Sequence, residues 1–116
     1  MLFYGNPISK EFLATRNSSL GSQTDIVTTL LGQLEIENAQ FKWGKDLLNP
    51  SSKQFAFYCY DEGMTWITPN GAIRYVTTTE TPQFLTTNKK IKKALLKELP
   101  LAKSYLQALL EDYAKK

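Results

Sequence analysis

The residues that could carry chemistry in this chain are few. Glu35 with Glu37, and Asp61 with Glu62, are the close carboxylate pairs in its β-patterned part. Carboxylates two apart on a strand point to the same side, so Glu35 and Glu37 could act as a glycosidase-like dyad or hold a hard cation through oxygen. Their setting argues otherwise, because both alternate with Leu34 and Ile36 in the pattern of solvated groups beside an inward apolar pair. Asp61 and Glu62 sit in a turn, where such residues are preferred for backbone reasons. The chain contains no histidine, which removes Ser-His and Cys-His nucleophile pairs, a histidine general base and mixed His/Cys zinc sites. It also lacks a glycine-rich phosphate loop. The expectation is a non-enzyme with no catalytic residue, no metal site and no cofactor.

A second set of residues suits binding. From Phe55 to Thr79, aromatic and β-branched runs alternate with the turns Asp61-Glu62-Gly63 and Pro69-Asn70-Gly71, which predicts a three-stranded antiparallel meander. If each turn is a three-residue loop whose glycine is left-handed and forms a G1 bulge, Tyr60 faces Met64 and Thr68 faces Ala72. Phe55, Phe57, Cys59, Thr65, Ile67, Ile73 and Tyr75 then share the more apolar face, which should lie against helices. Ala56, Tyr58, Tyr60, Met64, Trp66, Thr68, Arg74 and Val76 share the other, with Tyr58, Trp66 and Arg74 as a row across the strands. Tyr, Trp and Arg are enriched at binding hot spots, so Tyr58, Tyr60, Met64, Trp66 and Arg74 are the candidate partner-binding residues. The same row also reads as plain sheet stabilisation by aromatic pairs and an arginine over an indole. A one-residue slip in register would exchange the two roles.

The third feature is charge. From Lys89 onward there are eight lysines against Glu98, Glu111 and Asp112, a net +5, whereas residues 1–88 carry six basic and eight acidic groups, a net −2. Lys89, Lys90, Lys92, Lys93 and Lys97 gather where a helix begins, with 89, 93 and 97 in one row. Positive charge there opposes the helix dipole by about 0.3–1 kcal/mol per residue. A solvated face accounts for such a run, and so would an anionic partner reached through Lys89, Lys90, Lys93 and Lys97. Joined to sheet aromatics, the lysines would make a single-strand nucleic-acid binder, although the chain has no RRM-type motif, zinc-knuckle spacing or KH-type GXXG loop. A helix-turn-helix reading of the first two helices fails on charge, because the recognition helix would carry Asp25 and neutral groups.

These groups must be positioned by ordinary elements. With 116 residues, 42% of them hydrophobic, the chain can build one domain around one core without disulfide staples. A single cysteine, Cys59, lies in an apolar run and is expected to be a small buried hydrophobe in a reducing compartment. The first seven residues show no basic and apolar leader, and no run approaches a membrane span, so a cytoplasmic location is expected. Ser9 can cap a short helix to about Arg16, with Phe12 and Leu13 inward. Ser22 with Asp25 resembles a capping box for a helix from about Gln23 to Leu31, with Gly32 as its C′ residue and Ile26, Val27, Leu30, Leu31 and Leu34 at helical spacing. Period-two patterning over residues 34–43 predicts a strand, and residues 44–52 a loop. The threonine-rich stretch 77–87 with Pro82 should cross the surface to a helix capped by Asn88, which Pro100 kinks or divides. Leu101, Ala102, Tyr105, Leu106, Leu109, Leu110 and Tyr113 make its broad apolar stripe.

The fold expected is α+β: a mainly antiparallel sheet of about four or five strands, with a meander over about 54–79, packed on one face by an N-terminal helix and a C-terminal helix or kinked pair over about 89–114. The function expected is a small binding protein of adaptor, inhibitor or immunity type. It would act through protein contact by the aromatic sheet face, the basic helix, or both, with a nucleic-acid module as the alternative. A second copy of the chain could pair through the sheet face or the C-terminal helix, and no membrane partner is expected.

Overall fold

The computed structural model describes residues 3, 5 and 8–116, so part of the N-terminal stretch read above for a leader lies outside the described residues. It has the expected α+β composition, with two α-helices and one four-stranded antiparallel sheet among the described residues. The chain forms two compact units, Met1–Gln54 and Phe55–Lys116.

The first unit is built on α1 (Gln23–Gln33), which starts with the expected Ser22–Asp25 capping box. Its packing is the inverse of the apolar spacing. Asp25, Thr28 and Thr29 are its buried residues, while Val27, Leu30 and Leu34 are exposed. The cause is the segment after residue 43, which lies along the polar side. Asp25, 2% exposed, accepts hydrogen bonds from the Ser22 N–H (2.7 Å) and the Lys45 N–H (2.9 Å), and pairs with Lys45 Nζ at 2.6 Å. Thr29 Oγ1 donates to the Asp25 carbonyl at 2.7 Å and accepts from the Leu47 N–H at 2.9 Å. Gly44 permits the approach, since a Cβ there would come within 2.5 Å of the Thr24 carbonyl oxygen. A buried charge is tolerated only when paired and hydrogen-bonded, and these contacts meet that condition.

The strand expected over 34–43 is absent. The helix continues through Gly32 and closes in a Schellman motif, in which Ile36 N–H donates to the Leu31 carbonyl (3.0 Å) and Glu35 N–H to that of Gly32 (3.2 Å). The C′ residue is therefore Glu35, held at φ 55°. Beyond it the backbone folds into successive turns, closed by Phe41 N–H to Asn38 O and Gly44 N–H to Phe41 O, both at 2.9 Å. Period-two patterning needs a neighbouring strand to become a ladder, and here local turns take the bonds first. The helix expected over residues 9–16 is one 3-10 turn, Lys10–Phe12, followed by Ala14 at φ 57° with Leu13 exposed.

The second unit is the sheet and α2 (Lys89–Ala114). Strands β1 (Ala56–Tyr60), β2 (Gly63–Thr68), β3 (Gly71–Val76) and β4 (Pro82–Phe84) lie in sequence order. The hairpins are tighter than expected. Tyr60 pairs with Gly63 and Thr68 with Gly71, so each loop has two residues and each register differs by one from the three-residue reading. None of the four loop residues, Asp61, Glu62, Pro69 and Asn70, has positive φ, and Gly63 is not left-handed. Its glycine identity follows from close approach: a Cβ would collide with the Tyr75 carbonyl on β3. β4 is a strand the sequence reading passed over. Pro82 opens it at the sheet edge, where a missing N–H costs no ladder bond.

Asn88 caps α2 as expected, its Oδ1 accepting from Lys90 N–H (2.9 Å) and Ile91 N–H (3.4 Å). Pro100 lies within one continuous helix and does not divide it. Pro100 and Leu96, whose carbonyl loses its donor, are both on the exposed side where water can substitute. The buried stripe is narrower than the sequence suggests. Leu95, Ala102 and Leu106 are buried, while Leu101, Leu110 and Tyr113 are exposed.

Asp25→Ala removes the buried carboxylate that accepts from the Ser22 and Lys45 N–H groups and pairs with Lys45 Nζ, so it should lower unfolding free energy by about 3–5 kcal/mol in urea denaturation. Glu35→Gly should do the reverse. Relief of a left-handed residue, about 1–2 kcal/mol, exceeds the entropy cost of glycine, about 0.5–1 kcal/mol, and the midpoint should rise.

Candidate functional site

The register decides which candidate residues share a surface. Trp66 pairs with Phe57 and Ile73, and Met64 with Cys59 and Tyr75, so β2 presents Met64 and Trp66 to the side covered by α2. Both are buried, 1% and 2% exposed, in a cluster with Ala102 and Leu106. Phe55 stacks on Trp66 at 4.7 Å, and Tyr105 of α2 meets Trp66 at 5.3 Å and Phe57 at 4.8 Å. The expectation that Met64 and Trp66 lie on the same face as Tyr58 is therefore corrected. The two-residue loop shifts β2 by one position and reverses its sides, as the period of two requires. Thr65 and Ile67, expected inward, take their place on the outer face, and Thr68 moves to the inner one.

The assignments for β1 and β3 are those expected, with Phe57, Ile73 and Tyr75 inward and Tyr58, Tyr60 and Arg74 outward. The observed outer row is Tyr58, Thr65, Arg74 and Gln83. Thr65 is 2% exposed; Tyr58 is 55% exposed, and Arg74 and Gln83 are exposed as well. Gln83 was not foreseen, although the alternation of Pro82, Gln83 and Phe84 after a turn was a usable signal for β4.

Tyr60 organises this face. Its ring is 6.2 Å from that of Tyr58, and the Arg74 guanidinium lies over it at 5.1 Å. Arg74 Nε donates to the Tyr60 hydroxyl at 3.2 Å, while that hydroxyl is within 3.3 Å of the Tyr75 carbonyl oxygen and 3.5 Å of that of Met64. The bond to Tyr60, followed by the charge interaction with the same group, raises the Arg74 pKa above its ordinary value. The guanidinium is a fixed cation on an aromatic bed.

Lys89, Lys90, Lys93 and Lys97 are all exposed on the first half of α2, whose first turn carries no acid. Because α2 packs on the inner face, the sheet separates these lysines from Tyr58 and Arg74. The two features do not form one continuous surface. Cys59, expected to be buried, is exposed near the end of the edge strand β1, and partial desolvation pushes its thiol above the ordinary value.

Elsewhere, a cleft of about 650 Å³ in the first unit runs between Ile8, Phe12, Ile26 and Leu48, with Arg16 at its wall. Glu35 and Glu37 flank no strand, and their dyad geometry is lost with it. Among the described residues no group of three His, Cys, Asp or Glu could hold a metal, and no helix is long and apolar enough to cross a membrane. Comparison with known proteins finds no matching family model and no similar curated protein or solved structure.

The two aromatic residues should now separate cleanly in denaturation. Trp66→Ala, which empties a core site, should cost about 3–5 kcal/mol, whereas Tyr58→Ala should stay within about 0.5 kcal/mol of the parent.

Proposed function

We propose that this protein is a small binding module that docks on another protein through the outer face of its sheet, with Tyr58, Tyr60 and Arg74 at the centre of contact. The observation that carries this reading is an exposed tyrosine beside a guanidinium already held in place by a second tyrosine. Rigid aromatic and arginine side chains bind well because little rotamer freedom remains to be lost. Docking needs no catalytic set, in keeping with a chain that has no histidine and whose one close strand-patterned carboxylate pair is not on a strand. A lone unpaired cysteine suits a reducing, cytoplasmic setting.

The nucleic-acid reading loses its main support. It joined sheet aromatics to the α2 lysines, and the sheet stands between them, so bases stacked on Tyr58 would not bring phosphates to Lys89, Lys93 and Lys97. The lysine row then acts as a solvated face that keeps the module dispersed.

Capture from nuclease-treated extract of the native host, followed by mass spectrometry, tests the proposal. The Tyr58→Ala, Arg74→Gln double variant should lose a protein that the parent retains, with its melting temperature nearly unchanged. The Lys89→Ala, Lys93→Ala, Lys97→Ala triple variant should retain it. Capture that survives the first variant and disappears with the second would sink the sheet-face reading.

A further inference from the structure

The Arg74 side chain is arranged for a particular task. One of its five N–H groups, on Nε, is used by Tyr60, and its Cζ lies over the Tyr60 ring at 5.1 Å. The Tyr60 hydroxyl is anchored in turn near the Tyr75 and Met64 carbonyls, so the tether runs from the guanidinium to the backbone of two strands. Among the described residues no carboxylate lies within ion-pair distance of Arg74. The four remaining N–H groups, on the two Nη atoms, are left at the exposed end. That end is the fork that receives both oxygens of a carboxylate in a bidentate pair.

We infer that Arg74 is the anchor for a single carboxylate, an aspartate or glutamate side chain carried by the docking protein, with the Tyr58 ring as the wall for an apolar neighbour of that acid. The inference rests on the sheet face being the docking surface and names the chemistry it reads. Charge balance selects a carboxylate over a phosphate. Arg74 is the one cation in the outer row, the α2 lysines lie behind the sheet, and Glu62 on the β1–β2 turn is close enough to act on Arg74 electrostatically. A monoanion is matched by one guanidinium, whereas a dianion would leave an uncompensated charge facing Glu62. Lysine could not replace this arginine, because an ammonium has neither the planar fork nor the stacking surface.

The experiment is an NMR titration of the full chain with the capped tetrapeptide Ac-Ala-Phe-Glu-Ala-amide and its glutamine and phosphoserine counterparts in place of glutamate. The glutamate peptide should shift the Arg74 Nε–Hε resonance and the Tyr58 ring protons saturably, and the glutamine peptide should bind about tenfold more weakly or worse. Arg74→Lys should lose a similar factor. Tyr60→Phe keeps the ring and removes the tether, so it should weaken the glutamate peptide while leaving the glutamine peptide unchanged, a split that a merely structural role would not produce. Unchanged spectral dispersion shows that each variant remains folded. Equal response to glutamate and glutamine, tighter binding of phosphoserine, or parent-like affinity in Arg74→Lys would each overturn the carboxylate anchor. The docking proposal fails separately. If protein capture depends on Tyr58 and Arg74 but the peptides are not distinguished, the face stands and the anchor falls. If the peptides are distinguished but capture ignores the face, Arg74 still reads a carboxylate, and both the docking reading and the assignment of that acid to a docking protein fall.

Discussion

Burial of the Trp66 indole beneath α2 is the constraint from which the arrangement of the second unit follows. Trp66 lies between Phe55 and Tyr105, 4.7 and 5.3 Å away, in the cluster with Met64, Ala102 and Leu106. An indole removes more apolar area from water than any other side chain here, so the register that places it inward is strongly favoured. It is favoured even though Trp66 Nε1–H is buried without a partner among the described residues, at a cost of about 1–3 kcal/mol. Once Trp66 is inward, period two sends Met64 with it and turns Thr65 and Ile67 outward. The hairpin loops must then have two residues, and Gly63 must be small enough to let β2 lie against β3.

The functional surface is what that constraint leaves outside. Tyr58, Tyr60 and Arg74 are on β1 and β3, whose sides do not depend on the β2 shift. Their geometry survives on its own bonds, since Tyr60 serves Arg74 both as ring and as acceptor. The core and the contact face use the same residue types on opposite sides of one sheet. Composition therefore could not separate them, and a strand register could.

The first unit is held by different physics. α1 turns Asp25, Thr28 and Thr29 toward the 44–48 segment and leaves Val27, Leu30 and Leu34 exposed. The specific bonds of Asp25 with Lys45 and of Thr29 with Leu47 place that segment. Such contacts are directional, so the same side chains that cap and continue the helix also set the path of the chain 20 residues later.

Local chemistry was legible in the sequence wherever one residue acts on its immediate neighbours. The Ser22–Asp25 capping box, the Asn88 cap, the two turns of the meander and the inward side of β1 and β3 all follow from side chains meeting backbone within a few positions. Features that depend on a distant partner were not legible. Residues 34–43 alternate like a strand but have none beside them, Leu101 and Tyr113 continue an apolar stripe beyond what the sheet covers, and Cys59 sits in an apolar run yet is exposed. The loop length at Gly63 is the case that mattered most. Asp61-Glu62-Gly63 is compatible with two or three loop residues, and one residue decides whether Trp66 is a contact or the core. The sequence by itself determined that a sheet face would carry tyrosine and arginine side by side. Only the tertiary structure decided that Trp66 lies beneath α2, because burying an indole needs Ala102, Tyr105 and Leu106 of a later helix to close over it.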